Sequence, residues 1–440
     1  MRKCWICFSL ILGGIIVSSA QTKYSWQEDL HHRICCDFTK SRSDVLRYIK
    51  KYIPDVTDEQ ISMWEESKAL ECMELDGEKK YFKNAAPNLF RIDNECQKLK
   101  VQKDGLGLSG SAKADLKNVP EVIKTAEGQY RLGAPKRMRV KFTLTVDADA
   151  VPEGEKIRCW LPFPRADIAR QKDVKLISTS QNKYKKSPVS CKHSSIYMEK
   201  EAEKGKPTVF SEVFEYTSYG AWYNIQPEDV KPYNTKTKLY KEFTSERENH
   251  IIFTPELKAL AAQLTEGETN PYLKAKRIFR YISANYPWAS AREYSTIENI
   301  PMYVLQNHHG DCGQVSLLFI TLCRICGIPA HFQSGLMMHP GADNLHDWSE
   351  IYLEGIGWVP VDQSFGIPVY ARNEDETWFF LGGIDSWRMV ANQDYGMELY
   401  PKKKYPRSET VDFQRGEVEW KGGNLYYDKW DYHWDITYLN

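Results

Sequence analysis

The chain has 440 residues, of which 42% are hydrophobic and 27% charged, and this composition is typical of a globular protein rather than a disordered one. Lysine plus arginine and aspartate plus glutamate number 59 each, so the formal net charge is zero. That balance argues against a partner held by bulk charge, such as nucleic acid. The length predicts about two to four domains.

Residues 1–20, "MRKCWICFSLILGGIIVSSA", have the pattern of a signal peptide. Arg2 and Lys3 precede an apolar run, and Ser18-Ser19-Ala20 resembles a cleavage site for small residues. A transmembrane anchor is the alternative, but the apolar run is shorter than the ~20 residues that a bilayer requires. We therefore expect a secreted or periplasmic mature chain without a membrane span.

The number of cysteines bears on the redox state of the mature chain. Of 11 cysteines, Cys4 and Cys7 fall in the signal peptide, which leaves nine. Because nine is odd, at least one thiol stays free or pairs between chains in an oxidising compartment. Local disulfides in the N-terminal region are an option, but the sequence does not determine their connectivity. The nine are Cys35, Cys36, Cys72, Cys96, Cys159, Cys191, Cys312, Cys323 and Cys326.

Residues 21–110 are predicted to form a helical N-terminal domain. The segment "SRSDVLRYIKKYIPD" has apolar residues at helical spacing, and Thr57 with Gln60 three residues later is typical of a capping box. The stretch "DGLGLSGSAKAD" is rich in glycine and serine. It leads us to expect a linker over residues 111–135.

Three further segments are predicted from their patterns. Residues 136–245 contain short runs of period two, such as "RMRVKFTLTVDA" and "TVFSEVFEYTSY", and indicate a β-sandwich-like domain. Residues 246–400 mix helix and strand signals. Residues 401–440 are predicted to form an aromatic-rich β-hairpin that turns at Gly422-Gly423. The aromatic side chains of this hairpin would either cover a core or bind sugars.

Cys312 stands between an acidic residue and a glycine at the start of a helical pattern, in "NHHGDCGQVSLLFITLCRICGIPA". The positive end of a helix dipole and its unpaired N–H groups favour a thiolate, so we expect a lowered pKa and a nucleophilic thiol. Cys323-x-x-Cys326 ends the same helix and is interpreted as core packing rather than as a redox or zinc motif. The apolar face comprises Val315, Leu318, Phe319, Leu322 and Cys326.

A nucleophilic thiol needs a base and a group that orients the base. His346 begins "HDWSEIYLEGIGWVPVD", a strand, turn and strand that end in Asp362. A register that pairs Tyr352 with Trp358 makes His346 and Asp362 diagonal neighbours, about 7–8 Å apart at Cα. A two- or four-residue loop would place them on opposite faces.

Taken together, "GDCGQVSLLFITLCRICGIPAHFQSG" and "HDWSEIYLEGIGWVPVD" resemble the core of the transglutaminase-like superfamily. The resemblance implies that residues 246–400 form a catalytic core with an α+β, papain-like fold, in which a helix carrying the cysteine packs on an antiparallel sheet. It implies Cys312 as nucleophile, His346 as base and Asp362 as the orienting carboxylate, without a metal or an organic cofactor. Gln306 and Trp288 compete as donors to the oxyanion.

The "CWLPFP" region resembles the β-domain that precedes such cores in secreted proteins of the Bacteroidetes type. The sequence departs from the family where Asp347 replaces a small residue after the histidine and Gln363-Ser364 replaces Pro-Thr. We expect an enzyme that acts on amide bonds of a protein or peptide, including cell-wall peptide or glycan, as a peptidase, amidase or transamidase. The alternative is a catalytically silent module that keeps the fold and binds glycan or protein.

Overall fold

The computed structural model describes residues 24–439, so the predicted signal peptide at 1–20 lies outside the described residues. Within this part none of the helices combines the length and the apolar character that a bilayer span requires. The helices are α1 (Trp26–Asp37), α2 (Arg42–Ile49), α3 (Asp58–Glu66), α4 (Ala85–Ile92), α5 (Asn94–Asp104), α6 (Gly110–Thr125), α7 (Lys238–Phe243), α8 (Pro255–Leu264), α9 (Pro271–Asn285), α10 (Ile300–Asn307), α11 (Cys312–Ile325) and α12 (Glu374–Thr377).

The strands form antiparallel sheets. They are β1 (Cys72–Leu75), β2 (Glu78–Tyr81), β3 (Leu132–Val146), β4 (Lys156–Pro162), β5 (Gln171–Thr179), β6 (Tyr184–Lys186), β7 (Ser195–Glu201), β8 (Thr208–Trp222), β9 (Ala330–Met337), β10 (Asn344–Leu353), β11 (Gly357–Val361), β12 (Gly383–Ile384), β13 (Arg388–Gln393), β14 (Glu417–Trp420), β15 (Gly423–Leu425) and β16 (Trp430–Leu439).

The N-terminal region is mainly helical and folds around its own core with the hairpin β1–β2 inserted. The predicted capping box is present, since Thr57 Oγ1 accepts from Gln60 N–H and Gln60 Oε1 accepts from Thr57 N–H. Asp76 and Gly77 form the turn of the hairpin with φ of 52° and 80°. Positive φ at both positions is what a two-residue type I′ turn requires.

The β-domain is a sandwich of two five-stranded sheets. One has the order β12-β8-β3-β16 with β5 also on β8, and the other has the order β15-β14-β4-β7-β6. Alternate residues of β3, among them Val140, Phe142 and Leu144, are buried and share a core with Cys159 and Leu161 of β4. The period-two pattern of the sequence therefore marks the face that each strand turns inward.

The catalytic-core candidate contains a four-stranded sheet of order β11-β10-β9-β13. Helix α11 packs on β9 and β10, with α8, α9 and α10 around it. Its buried residues join the largest hydrophobic cluster of the molecule, in which Leu318, Phe319 and Leu322 have no exposed surface. This confirms the predicted fold class, a cysteine-bearing helix packed on an antiparallel sheet.

The linker predicted over residues 111–135 is wrong, because α6 and the start of β3 occupy it. Ser109 caps α6 by accepting from Ala112 N–H, and Val119 and Val122 of this helix are completely buried. The local glycine and serine content suggested a flexible segment. The apolar residues that follow gain their burial only from contacts with β3 and β8, which are remote in sequence from the glycines.

The C-terminal segment forms more than the single hairpin predicted over residues 401–440. Strands β14 and β15 do pair, with Trp420 opposite Gly423, but β14 also pairs with β4. Strand β16 crosses to the other sheet and pairs along β3. Its Trp434 ring stacks on Phe142, and Trp430 is buried. These aromatic side chains cover apolar surface of the sandwich. By pairing with β3, strand β16 also satisfies backbone groups of β3 that would otherwise be unpaired at the edge of the sheet.

All nine cysteines of the described residues are free thiols, so the N-terminal disulfides considered from the sequence are not present there. Cys323 belongs to the main hydrophobic cluster and Cys326 packs against it. The interpretation of this pair as core packing is confirmed.

Candidate active site

Cys312 is the first residue of α11, and its position is fixed by the helix cap. Asp311 Oδ1 accepts from Gln314 N–H at 3.1 Å, and Gln314 Oε1 accepts from Asp311 N–H at 3.2 Å, which completes a capping box. Tyr294 also donates its hydroxyl to Asp311 Oδ1 at 2.7 Å. The residues that follow, Gly313 to Arg324, are buried, whereas Cys312 itself is half-buried.

His346 and Asp362 meet because the β10–β11 hairpin adopts the register that pairs Tyr352 with Trp358. His346 Nε2 donates to Asp362 Oδ2 at 2.7 Å, and both side chains are buried. Since Nε2 is engaged, Nδ1 is the ring nitrogen that remains to take a proton. Burial lowers the pKa of His346 and outweighs the opposing charge of Asp362. The imidazole is therefore neutral at neutral pH, as a general base must be.

Asp362 is held as a fixed anion. Its Oδ1 accepts from the N–H groups of Ser364 and Phe365, each at 3.1 Å, and Arg388 Nη1 lies 2.9 Å from its Oδ2. Burial would raise the pKa of Asp362, but the interaction with His346, including its hydrogen bond, and the charge of Arg388 outweigh it and hold that pKa below its usual range. This carboxylate can therefore orient the imidazole and stabilise it when it becomes charged.

Behind Asp362 lies a buried network that the sequence did not indicate. Arg388 Nη2 also contacts Asp385 at 2.5 Å, and His339 Nε2 lies 3.1 Å from Asp115 and 3.3 Å from Asp385. Burial, followed by the charge of Asp385, raises the pKa of Asp115 to about 6. Asp115, His339 and Asp385 are metal-ligand types, but the Arg388 guanidinium already supplies the positive charge here. None of these residues carries a local motif, so no sequence signal could have found them.

Two cavities meet at Cys312. The larger, of about 330 Å³, is lined by both Cys312 and His346, together with Trp288, Leu345 and Phe365. The smaller, of about 210 Å³, is lined by Cys312 and Trp288 and by a group of acidic residues. The larger cavity is the place where a substrate carbonyl could reach the thiol and the imidazole together.

The thiol itself hydrogen bonds to a carboxylate rather than to the histidine. Cys312 Sγ donates to Asp347 Oδ2 at 3.4 Å. Burial, together with the charges of Asp347 and Asp311, raises the pKa of the Cys312 thiol well above its ordinary value. The lowered pKa expected from the helix N-terminus is therefore wrong. A helix end carries about half a unit charge, and burial together with the carboxyl groups of Asp347 and Asp311 outweighs its effect on the thiol.

Three carboxylates of the smaller cavity, those of Asp311, Asp347 and Asp412, form no ion pair with any cation of residues 24–439. Asp347 is held instead by neutral donors, with Gln414 Nε2 at 2.7 Å from Oδ1. Burial and the charges of Asp412 and Asp311 raise the pKa of Asp347. The resting site therefore combines an uncharged thiol with an uncharged imidazole, and the thiolate forms only when the proton moves.

We expect alkylation of Cys312 by iodoacetamide to accelerate only above the ordinary thiol pKa of about 8.5, because burial and Asp347 disfavour the thiolate. Asp347→Asn removes the carboxyl group that accepts from the thiol and raises its pKa, and should raise the labelling rate at pH 7.5 about tenfold. Mass spectrometry of the Cys312 peptide measures the pH dependence of labelling in the unmodified chain and the labelling rate of the Asp347→Asn variant. Asp375→Asn, an exposed change on α12, is the matched control. Fast labelling of the unmodified chain well below pH 8 would contradict the raised pKa.

The structure separates the two predicted oxyanion donors. Gln306 is exposed on α10 and lines a different cavity together with Glu71 and Tyr303, so its prediction is wrong. Helix α10 ends at Asn307, and the chain turns through His308 in the left-handed region before it reaches α11. Trp288 lines both cavities at Cys312, is 44% exposed, and pairs its backbone with Gly310.

Comparison with known proteins gives one family match. Residues 258–363 match the sequence model of the transglutaminase-like superfamily. A comparison with curated proteins gives no match.

Solved structures with similarity to this chain include a proposed cysteine protease from Cytophaga hutchinsonii, at 15% sequence identity and a TM-score of 0.47. That similarity covers 70% of this chain and 92% of the other. The periplasmic domain of TgpA from Pseudomonas aeruginosa is similar at 16% identity and a TM-score of 0.27, over 59% of this chain and 94% of that domain.

The matched segment begins on α8, includes α9 to α11 and ends one residue beyond Asp362. It thus contains all three residues of the predicted triad as well as Trp288. The family match agrees with the motifs around Cys312 and His346 and with the cysteine-bearing helix on an antiparallel sheet. Residues 258–363 of this chain are therefore a core of the transglutaminase-like superfamily.

Proposed function

We propose that the chain is a thiol enzyme that acts on amide bonds through an acyl-enzyme on Cys312. The observation that carries the proposal is the 2.7 Å hydrogen bond between His346 and Asp362, in a cavity that His346 shares with Cys312. An imidazole oriented by a buried carboxylate, in one cavity with a thiol at a helix N-terminus, is the combination of groups that nucleophilic acyl transfer requires.

In the first half-reaction the Cys312 thiol gives its proton to His346 Nδ1 as the sulfur attacks the carbonyl carbon. The tetrahedral intermediate collapses when His346 returns that proton to the leaving amine, and the C–N bond breaks to leave a thioester on Cys312. Asp362 stays ionised throughout and stabilises the imidazolium. Proton transfer within the complex removes the need for a thiolate in the resting enzyme.

The oxyanion of the intermediate requires preorganised donors. The backbone N–H of Cys312 belongs to the first turn of α11, where N–H groups have no partner within the helix. We assign the second donor to the Trp288 indole, which borders both cavities at the thiol. In the second half-reaction either water or an amine attacks the thioester, and the products are an acid or a new amide.

The proposed setting is outside the cytoplasm, on the strength of the signal-peptide pattern at residues 1–20. The proposed substrates are proteins or peptides, including cell-wall peptides. The catalytically silent binding module gains no support from the aromatic C-terminal segment, because its rings pack on the sandwich.

Acylation by an activated ester, p-nitrophenyl acetate, tests the proposal without knowledge of the natural substrate. We expect a burst of p-nitrophenol and an acetyl group on the Cys312 peptide by mass spectrometry. Cys312→Ala should give neither, and His346→Ala should slow acylation by about 10²–10⁴-fold, the usual contribution of a general base. Added alkylamine separates the two outcomes, since transfer yields an N-alkylacetamide and hydrolysis yields only acetate.

Acetylation spread over several cysteines, or acylation of Cys312 at the same rate in His346→Ala, would refute the mechanism. Asp375→Asn again serves as the matched surface control. Thermal unfolding of each variant shows whether a lost burst reflects lost chemistry or lost fold.

A further inference from the structure

Helix α1 carries the sequence His31-His32-Arg33-Ile34-Cys35-Cys36. Each histidine has a cysteine four residues later, which places the two side chains on the same face one turn apart. Because successive residues are rotated by about 100° around a helix, the two His–Cys pairs face different directions. The sequence thus offers two similar pairs of metal-ligand side chains, and the structure supplies a third ligand to each.

The first pair faces the turn of the hairpin β1–β2. His31 Nε2 lies 3.6 Å from Cys35 Sγ and 3.3 Å from Asp76 Oδ2. All three ligand atoms lie within 4.8 Å of one another. The site is open, since the His31 side chain is 50% exposed.

The second pair faces the segment between β15 and β16. His32 Nε2 lies 3.7 Å from Cys36 Sγ and 3.1 Å from Asp428 Oδ1. These ligand atoms also lie within 4.8 Å of one another. Lys429 pairs with the other carboxylate oxygen, Asp428 Oδ2, at 3.0 Å and leaves Oδ1 for the histidine side.

In each of the two sites, the cysteine and the aspartate both contact the Nε2 atom of the histidine. This arrangement distinguishes the two sites from a hydrogen-bond relay. In a relay, such as that of His346, one ring nitrogen contacts the carboxylate and the other is left for the thiol. In both α1 sites the same Nε2 faces the thiol and the carboxylate together. One N–H cannot serve both well, whereas a cation at the centre of the three atoms satisfies all of them.

The two separations that involve the histidine nitrogen also match those around zinc. With Zn–N of about 2.0 Å and Zn–S of about 2.3 Å, tetrahedral angles place N and S about 3.5 Å apart and N and O about 3.3 Å apart. The observed pairs, 3.6 and 3.7 Å for N to S and 3.3 and 3.1 Å for N to O, lie within about 0.2 Å of these values.

We propose that His31, Cys35 and Asp76 bind one Zn²⁺ and that His32, Cys36 and Asp428 bind a second, each with water as the fourth ligand. Binding displaces the thiol proton of each cysteine, so two protons leave as two ions enter. The first ion ties α1 to the β1–β2 turn, and the second ties it to the C-terminal segment. The sites are separate from Cys312, so this proposal does not depend on the proposed enzymatic activity.

Zinc titration of the reduced, chelator-treated mature chain against a chromophoric chelator tests the proposal. Cys312→Ala serves as the parent, so that the active-site thiol does not compete. We expect two equivalents in the parent, one after Cys35→Ser or Cys36→Ser, and none after both. Cys191→Ser, which removes a partly exposed thiol elsewhere, should keep two. Asp428→Asn leaves both thiols in place and should weaken only the second site.

Cobalt substitution gives a readout specific to the ligands, because thiolate coordination produces a near-ultraviolet charge-transfer band that Cys35→Ser and Cys36→Ser should each halve. Zinc should also raise the unfolding temperature of the parent and not that of the double variant. Fewer than two equivalents in the parent, or binding unchanged by both serine variants, would overturn the proposal. A single ion lost with either cysteine would likewise overturn it, since the two sites would then be one.

Discussion

Asp362→Asn is expected to lower kcat for acyl transfer about 10⁴-fold while the chain remains folded. The Asp362 carboxylate accepts on both oxygens, from Ser364 and Phe365 N–H at Oδ1 and from His346 at Oδ2, which also lies 2.9 Å from Arg388 Nη1. An asparagine has one oxygen and one NH₂ group. If the NH₂ group takes the Oδ2 position, His346 Nε2 must accept, its proton moves to Nδ1, and the base can no longer take the thiol proton.

The opposite orientation of the asparagine aims its NH₂ group at two backbone N–H donors, so neither orientation satisfies all partners. The burst of p-nitrophenol and the steady-state rate with p-nitrophenyl acetate measure the effect, and unfolding temperature checks the fold. A loss of less than about tenfold would show that Asp362 does not select the tautomer of His346. Asp375→Asn makes the same chemical change at an exposed position and should leave the rate unchanged.

Gly335→Ala is expected to destabilise the fold by about 3 kcal/mol or more, at the upper end of the usual cost of overpacking a core. Gly335 lies in β9, directly opposite His346 of β10 on one side and Val390 of β13 on the other. A Cβ at this position would lie 1.9 Å from the carbonyl oxygen of Met389, a backbone atom that cannot turn aside. The register of β13 shifts just beyond this point, between Val390 and Asn392.

The substitution must therefore push β13 away from β9 or displace β9 from β10. Either movement also disturbs the strand that carries His346, so acylation of Cys312 should fall together with stability. Urea denaturation followed by fluorescence measures the free energy of unfolding. Gly107→Ala is the matched control, because Gly107 is exposed and a Cβ there meets no atom within 4 Å. Equal stability of the two variants would show that β13 yields without cost.

Local patterns in the sequence predicted much of the fold. Alternation marked β3 and β8, a capping box marked α3, and apolar spacing marked α11, because these signals depend on residues only a few positions apart. The prediction of a linker over residues 111–135 was wrong because it too depended on a local signal. Glycine and serine near residue 110 are a local signal for a loop, but the burial of Val119 and Val122 against β3 and β8 outweighs it.

The site was predicted in part. The motifs singled out Cys312, His346 and Asp362, and the hairpin register that joins the last two followed from counting residues. The charge state of Cys312 was not predictable, because it depends on Asp347 from β10 and on burial, neither of which is local to α11. Gln306 was named from its offset along the chain, yet α10 carries it to another cavity.

By itself, then, the sequence determined the family of the core, the helix that begins at Cys312, and the strands that carry His346 and Asp362. Only the tertiary structure decided which groups surround them. It placed Arg388 against Asp362, Asp347 against the thiol, and Trp288 at the edge of both cavities. The physical reason is the distance along the chain over which each effect acts. Caps and periodicity depend on residues within one turn or one strand. Burial and Coulomb interactions depend on side chains that the fold brings together from distant segments.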